Sequence, residues 1–533
     1  MADPCWSLTP GVRRVGDGRV LIGGSPATLM RLTEAGSAAL DRALAPVGAP
    51  TDAGGRSLEP DASTSRQRPP AGAEAALLAR LERRGLLAAT PPPLSPDELS
   101  ELWRSVTVVV PVRDDGDGLR ALLGSLAGSP EAAGGSLQAP GSERSGRAGG
   151  APPCRVVVVD DGSRLPDEAA AVAQRFGAEL IRRPRSGGPA AARITGLDVV
   201  DTPLVVFLDA DVRVTPGWLA AAGAHFRTAG RLAVVAPRVA AGRAPQPRHG
   251  SAWSAYEQDH SPLDLGPHGG AVAPGTRLAY VPSAAWVARA DALRSVGGFD
   301  PALRYGEDVD LVWRLVEAGW SVRYEARAVV HHRMRNGVVA GAVQRFRYGT
   351  SAAPLAVRHP GALAPVATSS WSAAAWALAA LGHPVAGIGV AAGSTAQLAR
   401  RLTVTNPGAE ALRLAGRGHL AAGPQLARAL IRPWWPVTAL LALTLRRTRV
   451  PALFGLLASA AGGWRGTARP VVGALAVADD VAYSAGVWWG LGGQLRRDPA
   501  QAGAALGAVV PRLSGGFARG WRRRLRGFAP RRD

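Results

Sequence analysis

Residues 106–115, VTVVVPVRDD, decide the reading of this 533-residue chain: an apolar, β-branched run too short for a buried helix ends in a proline and then in charge. Such a run, bounded by turn residues, reads as a strand buried on both faces. The same pattern returns at 155–159, 179–181 and 203–208, with helical stretches between. Buried strands alternating with helices predict an α/β layer with a mostly parallel sheet. In such sheets ligands bind beyond the carboxyl ends of the strands. Those ends are acidic here: the first runs into Pro111, Val112, Arg113, Asp114 and Asp115, the second into Asp160-Asp161-Gly162-Ser163, and the fourth into Asp209-Ala210-Asp211. Three carboxylate-bearing ends repel one another unless a cation or hydrogen-bond donors sit among them, so a metal or a nucleotide is expected there. Asp-Asp-Gly-Ser alone is equally an ordinary turn, and Asp-x-Asp alone equally a soluble strand end; the spacing of the set points to a site. Asp-x-Asp after a buried run suits a divalent metal, leaving coordination positions for a diphosphate.

Outward from this sheet, a Gly/Ala/Ser-rich stretch at 128–153 reads as a surface loop insertion. The α/β pattern ends near Met334, giving a domain over 104–335. Upstream, 1–93 reads as a small domain with strands around Val20-Leu21-Ile22 and a helix over 26–44 that carries Leu29, Leu32 and Leu40. A polar insertion at 48–73, too poor in large apolar residues to pack, is expected to be disordered. A second helix follows at 74–84, and ARLERRGLLAA (79–89) has the look of a winged-helix recognition helix turning at Gly85 into an apolar strand. Pro91-Pro92-Pro93 marks the first domain boundary. Downstream, 336–533 is rich in Ala, Leu and Arg, with tryptophans at 371, 376, 434, 435, 464, 488, 489 and 521, and reads as helical. No Asp, Glu or Arg interrupts 360–399, a length that accommodates a span of ~20 residues. Its Ala/Gly content and the central His383-Pro384 favour a helix packed on the protein or lying in a membrane interface.

The formal charge is +21, and all 62 cations are arginine. With the Ala, Gly and Pro excess and only two asparagines, this looks like a GC-rich coding bias, so charge alone identifies no partner. Its distribution says more: from Arg401 onward, 20 Arg face five acids. Arg/Trp-rich segments such as RPWWPVTALLALTLRRTR (432–449) and RGWRRRLRG (519–527) suit an anionic membrane surface. Two cysteines, Cys5 and Cys154, cannot build a disulfide framework or a Cys-based metal centre. Met1 is followed by Ala2-Asp3-Pro4 with no basic-then-apolar segment, so the expectation is the cytoplasmic face of the cell membrane, with peripheral or weakly integral attachment.

A second chemical constellation lies at Gly297-Gly298-Phe299-Asp300 and in YGEDVDLVWR (305–314). Gly306 permits a tight turn, and Glu307 and Asp308 fall in the first turn of a helix whose Leu311, Val312 and Leu315 face inward. The helix dipole is expected to keep a carboxylate there ionised, as a general base must be. Taken alone, the same residues are ordinary helix capping.

The ordered set VTVVVPVRDD, VVVVDDGS, SGGPAAARITG, VVFLDADVRVTPGWL, VGGFDPAL and GEDVDLVWR resembles the nucleotide-sugar glycosyltransferases of family 2, over about 104–335. The resemblance implies a GT-A fold, a Rossmann-like α/β nucleotide-diphospho-sugar domain, with Mg2+ or Mn2+ as cofactor and a UDP-sugar as donor. It implies that Asp161 contacts the uracil, that Pro111, Arg113, Asp115 and Arg193 lie near the donor, and that Asp209 and Asp211 bind ribose and the metal-diphosphate. Asp308, beside Glu307, would deprotonate the acceptor hydroxyl for an inverting displacement. His332 of the His331-His332 pair would add a metal ligand, although a solvated pair reads equally well. Gln344-Arg345-Phe346-Arg347-Tyr348 resembles the Gln-x-x-Arg-Trp motif of processive β-glucan synthases, with Tyr348 in place of Trp. That implies a diphosphate grip by Arg347 and acceptor support from Gln344 and Tyr348.

Over most of 7–361 the chain is also similar to the glycosyltransferases of mycofactocin biosynthesis, on LTPGVRRVGDGRVLIGGSPATLMRLTEAG, RLAYVPSAAWVARADAL and FRYGTSAAPLAVRHPG. This implies transfer of glucose from UDP-glucose to a peptide-derived redox-cofactor precursor, building a β-1,4-glucan. It also makes the front domain similar to PqqD-like peptide-recognition winged helices. The residues themselves stop at a nucleotide-sugar transferase. Two alternatives stand beside this reading: a transferase to polyprenyl phosphate, and a nucleic-acid-binding protein using the winged helix and the tail WRRRLRG (521–527). Glu82 beside Arg83-Arg84, and a tail without a DNA-reading motif, argue against nucleic acid.

Overall fold

The computed structural model describes residues 4–25, 27–45, 72–128, 154–227, 230–242, 252–334, 337–463 and 470–514. The two expected insertions, 48–73 and 128–153, lie outside the described residues apart from their edges at 72–73 and 128, as does the tail at 521–527. Two compact units divide the chain: 1–242 with 261–333, and 243–260 with 334–533.

The first unit opens with β1 (Cys5–Leu8), β2 (Arg13–Val15), β3 (Val20–Gly23) and β4 (Thr28–Arg31), and later β5 (Leu87–Thr90). Strands β2, β3 and β4 form an antiparallel sheet, and β1 pairs antiparallel with β5. Helices Glu34–Leu44 and Ala73–Arg83 close over Leu21, Leu40, Leu78 and Leu81. The single helix expected over 26–44 is therefore corrected. Leu29 pairs with Ile22 across the β3–β4 ladder, and the helix starts only after Thr33, whose hydroxyl accepts from Gly36 N at 3.1 Å. Cross-strand pairing takes residues 28–31, and the N-cap fixes where the helix begins. Hydrogen bonds reach across the triple proline. Arg323 bonds Glu82 and Ala89 O, and Arg227 bonds Glu98 and Pro92 O. Helix Pro96–Arg104, started by a Ser95/Glu98 capping box, sends Leu102 and Trp103 into the main core.

The main sheet comprises β6 (Val106–Val112), β7 (Arg155–Asp160), β8 (Glu179–Arg182), β9 (Leu204–Leu208), β10 (Val212–Val214), β11 (Leu232–Ala241), β12 (Gly270–Val272), β13 (Ala285–Arg289) and β14 (Ser321–His332). Its order is β10-β14-β11-β13-β9-β6-β7-β8, with β12 on β14. The expected parallel core is present: β6 runs parallel to β7 and β9, and β7 to β8. Beyond β9 the sheet is mixed, since β13 is antiparallel to β9 and β11, while β11 and β14 run parallel. Apolar residues at every position of β9, all buried, follow from cover on both faces. Helix Pro189–Asp198 lies on β6 so closely that a Cβ on Gly196 would come 2.2 Å from Val109 Cγ1.

The second unit is helical, with one short parallel pair, β15 (Ala367–Ser369) and β16 (Arg512–Ser514). It includes helix Ala252–His260, taken in sequence from within the expected 104–335 domain. Helices Val338–Thr350 and Pro470–Arg497 meet along glycine: a Cβ on Gly486 would lie 1.9 Å from Phe346 O, and one on Gly349 would lie 2.1 Å from Tyr483 O. The 360–399 segment is not one span. It forms helices Ser370–Ala380 and Pro384–Ala399, broken at Gly382 with φ +90°. Pro384 cannot donate a backbone hydrogen bond, so the chain restarts there as a new helix. Pro470–Arg497, with mean hydropathy 1.3, is the one described helix long and apolar enough to cross a membrane, and half of its apolar window is buried. Its Asp480 is buried and accepts from Arg428, Arg432 and Ser459, and Asp479 pairs with Arg345. These contacts make it the central helix of its unit.

Candidate active site

A cavity of about 690 Å³ opens at the carboxyl ends of β6, β7 and β9, a volume that suits a nucleotide-sized ligand. Pro111, Arg113, Asp115, Asp161, Asp209 and Asp211 line it together, as expected for strand-end residues. Ser186, Gly187, Gly188, Arg304 and Tyr305 complete the wall.

Groups of the chain itself already face the strand-end carboxylates. Asp115 pairs with Arg333 at 2.7 Å, Asp161 with Arg183 at 3.1 Å, Asp209 with Arg193 at 2.7 Å, and Asp211 with His332 at 3.0 Å. Each carboxylate therefore has a partner inside its own unit. Asp115 also caps helix Gly116–Ala127, accepting from Gly118 N at 3.0 Å.

Asp161 is held most tightly. Its carboxylate accepts from Ser186 Oγ (2.7 Å), Gly187 N (3.0 Å) and Gly188 N (2.8 Å), which ties the turn after β7 to the loop before helix Pro189–Asp198. Gly162 makes that approach possible. Its φ is +70°, and a Cβ there would lie 2.8 Å from Ser186 N. Asp160, fully buried, accepts from Ser163 N and Arg182. Arg113 donates to Ser186 Oγ at 3.0 Å.

Arg193 lies beneath the cleft with its side chain 3% exposed, bonded to both Asp209 and Glu307. Glu307 and Asp308 begin helix Glu307–Glu317, entered through Gly306 in the left-handed region at φ +79°. Asp308 Oδ2 accepts from Ser283 N at 3.2 Å, and Oδ1 accepts from Val309 N at 2.8 Å. Burial, opposed by Arg193 and by the backbone N–H groups of Val309 and Ser283, raises the Asp308 carboxyl above its ordinary value. Burial and then the neighbouring Asp308 push Glu307 up to about 7. Burial also raises Asp209, with Arg193 pulling the other way.

Asp211 and His332 face each other because Val212 pairs with His332 across β10 and β14. Among the described residues, no group of three or more His, Cys, Asp or Glu is placed to hold a metal. One oxygen and one nitrogen ligand fit a divalent ion that takes its remaining ligands from a diphosphate and water. Gln344, Arg347 and Tyr348 belong to the second unit, where Gln344 donates to Tyr348 Oη at 2.8 Å and Arg347 is exposed. The buried arginine of that stretch is Arg345.

Sequence reasoning missed Arg182, Arg183, Ser186, Gly187, Gly188, Arg304, Tyr305 and Arg333 as site residues. The pair of glycines before Pro189, at a helix start, was the available signal for the 186–188 loop.

The sequence matches the glycosyl transferase family 2 profile over 107–288 and the glycosyl transferase family group 2 profile over 204–444. A pre-mycofactocin glycosyltransferase of Mycobacterium tuberculosis is 36% identical over 500 residues, covering 90% of this chain and 93% of that protein. The chain belongs to glycosyltransferase family 2. It is an enzyme of the GT-A fold with a helical C-terminal region. Among solved structures, a mannosyltransferase from Pyrobaculum calidifontis, in complex with GDP-Man and Mn2+, aligns with TM-score 0.38 and 15% identity, over 71% of this chain and 86% of that one.

The raised Glu307 carboxyl makes a stability prediction. Between its ordinary 4.5 and about 7 the folded protein holds a proton that the unfolded chain has lost, so this group's contribution falls as pH rises through that window and is level above it. Glu307→Gln is expected to remove that fall in urea unfolding, so that its stability relative to wild type shifts in the variant's favour as pH rises from about 5 to about 7. Parallel pH profiles for the two proteins would refute the assignment.

Proposed function

We propose that this chain is an inverting, metal-dependent hexosyltransferase that moves glucose from UDP-glucose to a peptide-derived mycofactocin precursor and extends it as a β-1,4-glucan. The observation that carries the reading is the joining, through buried Arg193, of the Asp209 strand end to the Glu307-Asp308 helix start. Donor recognition and acid–base groups are thereby held by one cation. The relative's name supports the acceptor.

In this reading Asp161 holds the 186–188 loop as the wall of the nucleotide pocket, next to the uracil. Arg113 and Arg304 supply positive charge to the cleft. Mg2+ or Mn2+, held by Asp211 and His332 beside Asp209, supplies charge to the leaving diphosphate when bound. Asp308 takes the proton of the acceptor hydroxyl. That oxygen bonds to C1 as the C1–phosphate bond breaks in line, so an α-linked donor gives a β-linked product and UDP. The raised pKa of Asp308 makes it a stronger base than a solvated aspartate. Gln344, Arg347 and Tyr348 serve the growing chain, and the front 1–93 part acts as a PqqD-like winged helix for the peptide.

The second unit carries exposed apolar side chains at Leu440, Leu443, Leu453, Phe454 and Leu457 on helices Trp435–Thr444 and Arg449–Gly462. With the arginines around them these suit peripheral attachment to an anionic, cytoplasmic membrane face. The same surface favours the second reading, a polyprenyl phosphate acceptor.

Asp308→Asn keeps shape but removes the proton acceptor. UDP-sugar affinity should persist while transfer falls by roughly 10² to 10⁴, and the wild-type product should show the large anomeric proton coupling of a β-glucoside. Equal loss of affinity and turnover would make Asp308 structural, and hexose recovered in lipid extracts in place of peptide would move the acceptor to the second reading. The full chain should sediment with anionic vesicles and be partly released by high salt, because the Debye length shortens to ~3 Å at 1 M. A protein left in the supernatant at low salt would remove the membrane from the account.

A further inference from the structure

The helical unit contains a second cavity, of about 280 Å³, unlike the donor cleft in its chemistry. Helices Ser370–Ala380, Pro384–Ala399 and Arg417–Ala429 border it, together with β15. In a chain with 62 arginines, none of the described side chains lining this cavity is charged. An anionic ligand such as a nucleotide or a phospholipid headgroup would meet no cation there.

What lines it is neutral and polar, with one aromatic ring. Ser369, Ser372, Ser394 and His419 form a connected chain: Ser369 Oγ lies 2.8 Å from Ser372 Oγ, which lies 2.9 Å from His419 Nδ1, and His419 Nε2 lies 2.9 Å from Ser394 Oγ. The direction of the chain follows from its far end. Ser394 spends its proton on Ala391 O at 2.9 Å, so it accepts from Nε2–H, leaving Nδ1 to accept from Ser372. One tautomer is selected, and three helices are joined by hydroxyls that each retain acceptor capacity. Burial keeps the His419 pKa below its ordinary value, so the ring is neutral at pH 7.

Trp371, 36% exposed, stands at this polar floor, and exposed Gln425 lines the cavity with it. Leu414 and Ala415, which also line it, belong to a π-helical turn over Leu412–Gly416. Such turns are uncommon and concentrate at functional sites. A flat ring beside fixed hydroxyls, an imidazole and an amide, with no charge, matches a molecule with one apolar face and a rim of hydroxyl groups. The size admits a hexose unit or two and is below the ~300–1,000 Å³ usual for drug-sized ligands.

We propose that this cavity is a binding subsite for a neutral oligosaccharide, the glycan end of the enzyme's own product, with Trp371 stacking on a sugar face and the Ser372–His419–Ser394 chain and Gln425 bonding its hydroxyls. The identity of the glycan as product rests on the proposed function; the carbohydrate chemistry of the pocket does not. A subsite of this kind retains the growing chain between transfers and lengthens the product without taking part in bond formation.

The test uses the full-length protein and free cellotetraose, followed by calorimetry and by saturation-transfer NMR. Wild type should bind it, and Trp371→Ala and Gln425→Ala should each weaken binding at least about fivefold, that is by about 1 kcal/mol or more. Trp371 and Gln425 are partly exposed, so both variants are expected to fold, which matching unfolding midpoints would verify. In turnover, addition of the first sugar should be unchanged in Trp371→Ala while the product distribution shifts to shorter chains. Absence of cellotetraose binding to wild type, or equal binding by Trp371→Ala, overturns the proposal. Trp371-dependent binding in a protein that transfers no glucose would retain the subsite and refute the proposed function instead.

Discussion

Arg193 is a guanidinium almost wholly removed from water, and the active-site architecture depends on how its charge is compensated. A buried cation is tolerated only with partners, and removing one partner typically costs ~3–5 kcal/mol. Its partners are Asp209, at the end of β9, and Glu307, at the start of a helix about one hundred residues later in the chain. The contact therefore fixes the acidic strand end against the helix that begins at Glu307 and Asp308. Its depth is set by packing: Gly196, one turn along from Arg193, lets the helix settle onto Val109 of β6, where any side chain would hold it off. The ring of Phe299, 5.3 Å from the guanidinium carbon, adds a cation–π contact from the Gly-Gly-Phe-Asp turn.

Charge compensation also explains why so acidic a cleft is compatible with folding before any ligand arrives. Arg183, Arg193, His332 and Arg333 each pair with one lining carboxylate. Three of these carboxylates, Asp115, Asp161 and Asp209, face an arginine, and Arg113 and Arg304 add positive charge on the wall. Asp308 is held by backbone N–H groups of Ser283 and Val309, and burial raises its carboxyl above the ordinary value.

The parallel heart of the sheet was legible in the sequence because β6, β7 and β9 are continuous apolar runs with acidic ends. The antiparallel additions were not, since β13 beside β9 and β10 beside β14 are placed by long-range pairing that no local pattern encodes. Asp161, Asp209, Asp211 and Asp308 were legible because each sits in a short motif. Arg182, Arg183 and Arg333 were not: in an arginine-rich chain nothing local separates an arginine that compensates the site from one on the surface. The 26–44 segment was misread for a related reason, because Leu29, Leu32 and Leu40 satisfy a helical spacing while residues 28–31 are claimed by the β3 ladder. In the helical unit the Pro470–Arg497 helix reads as apolar, yet its buried Asp479 and Asp480 make it a polar-cored packing element. Hydropathy averages over the one face that decides the matter.

The central claim is that the acidic strand ends form a diphosphate site completed by a divalent ion. Calorimetric titration of UDP-glucose into the full-length protein, with Mn2+ and then with chelator, tests it most directly when repeated on Asp211→Asn. The account predicts that Mn2+ tightens wild-type binding by about tenfold or more, and that Asp211→Asn loses this gain while keeping the weaker, ion-free affinity. Equal affinity with and without the ion, or a full gain retained by Asp211→Asn, would contradict it.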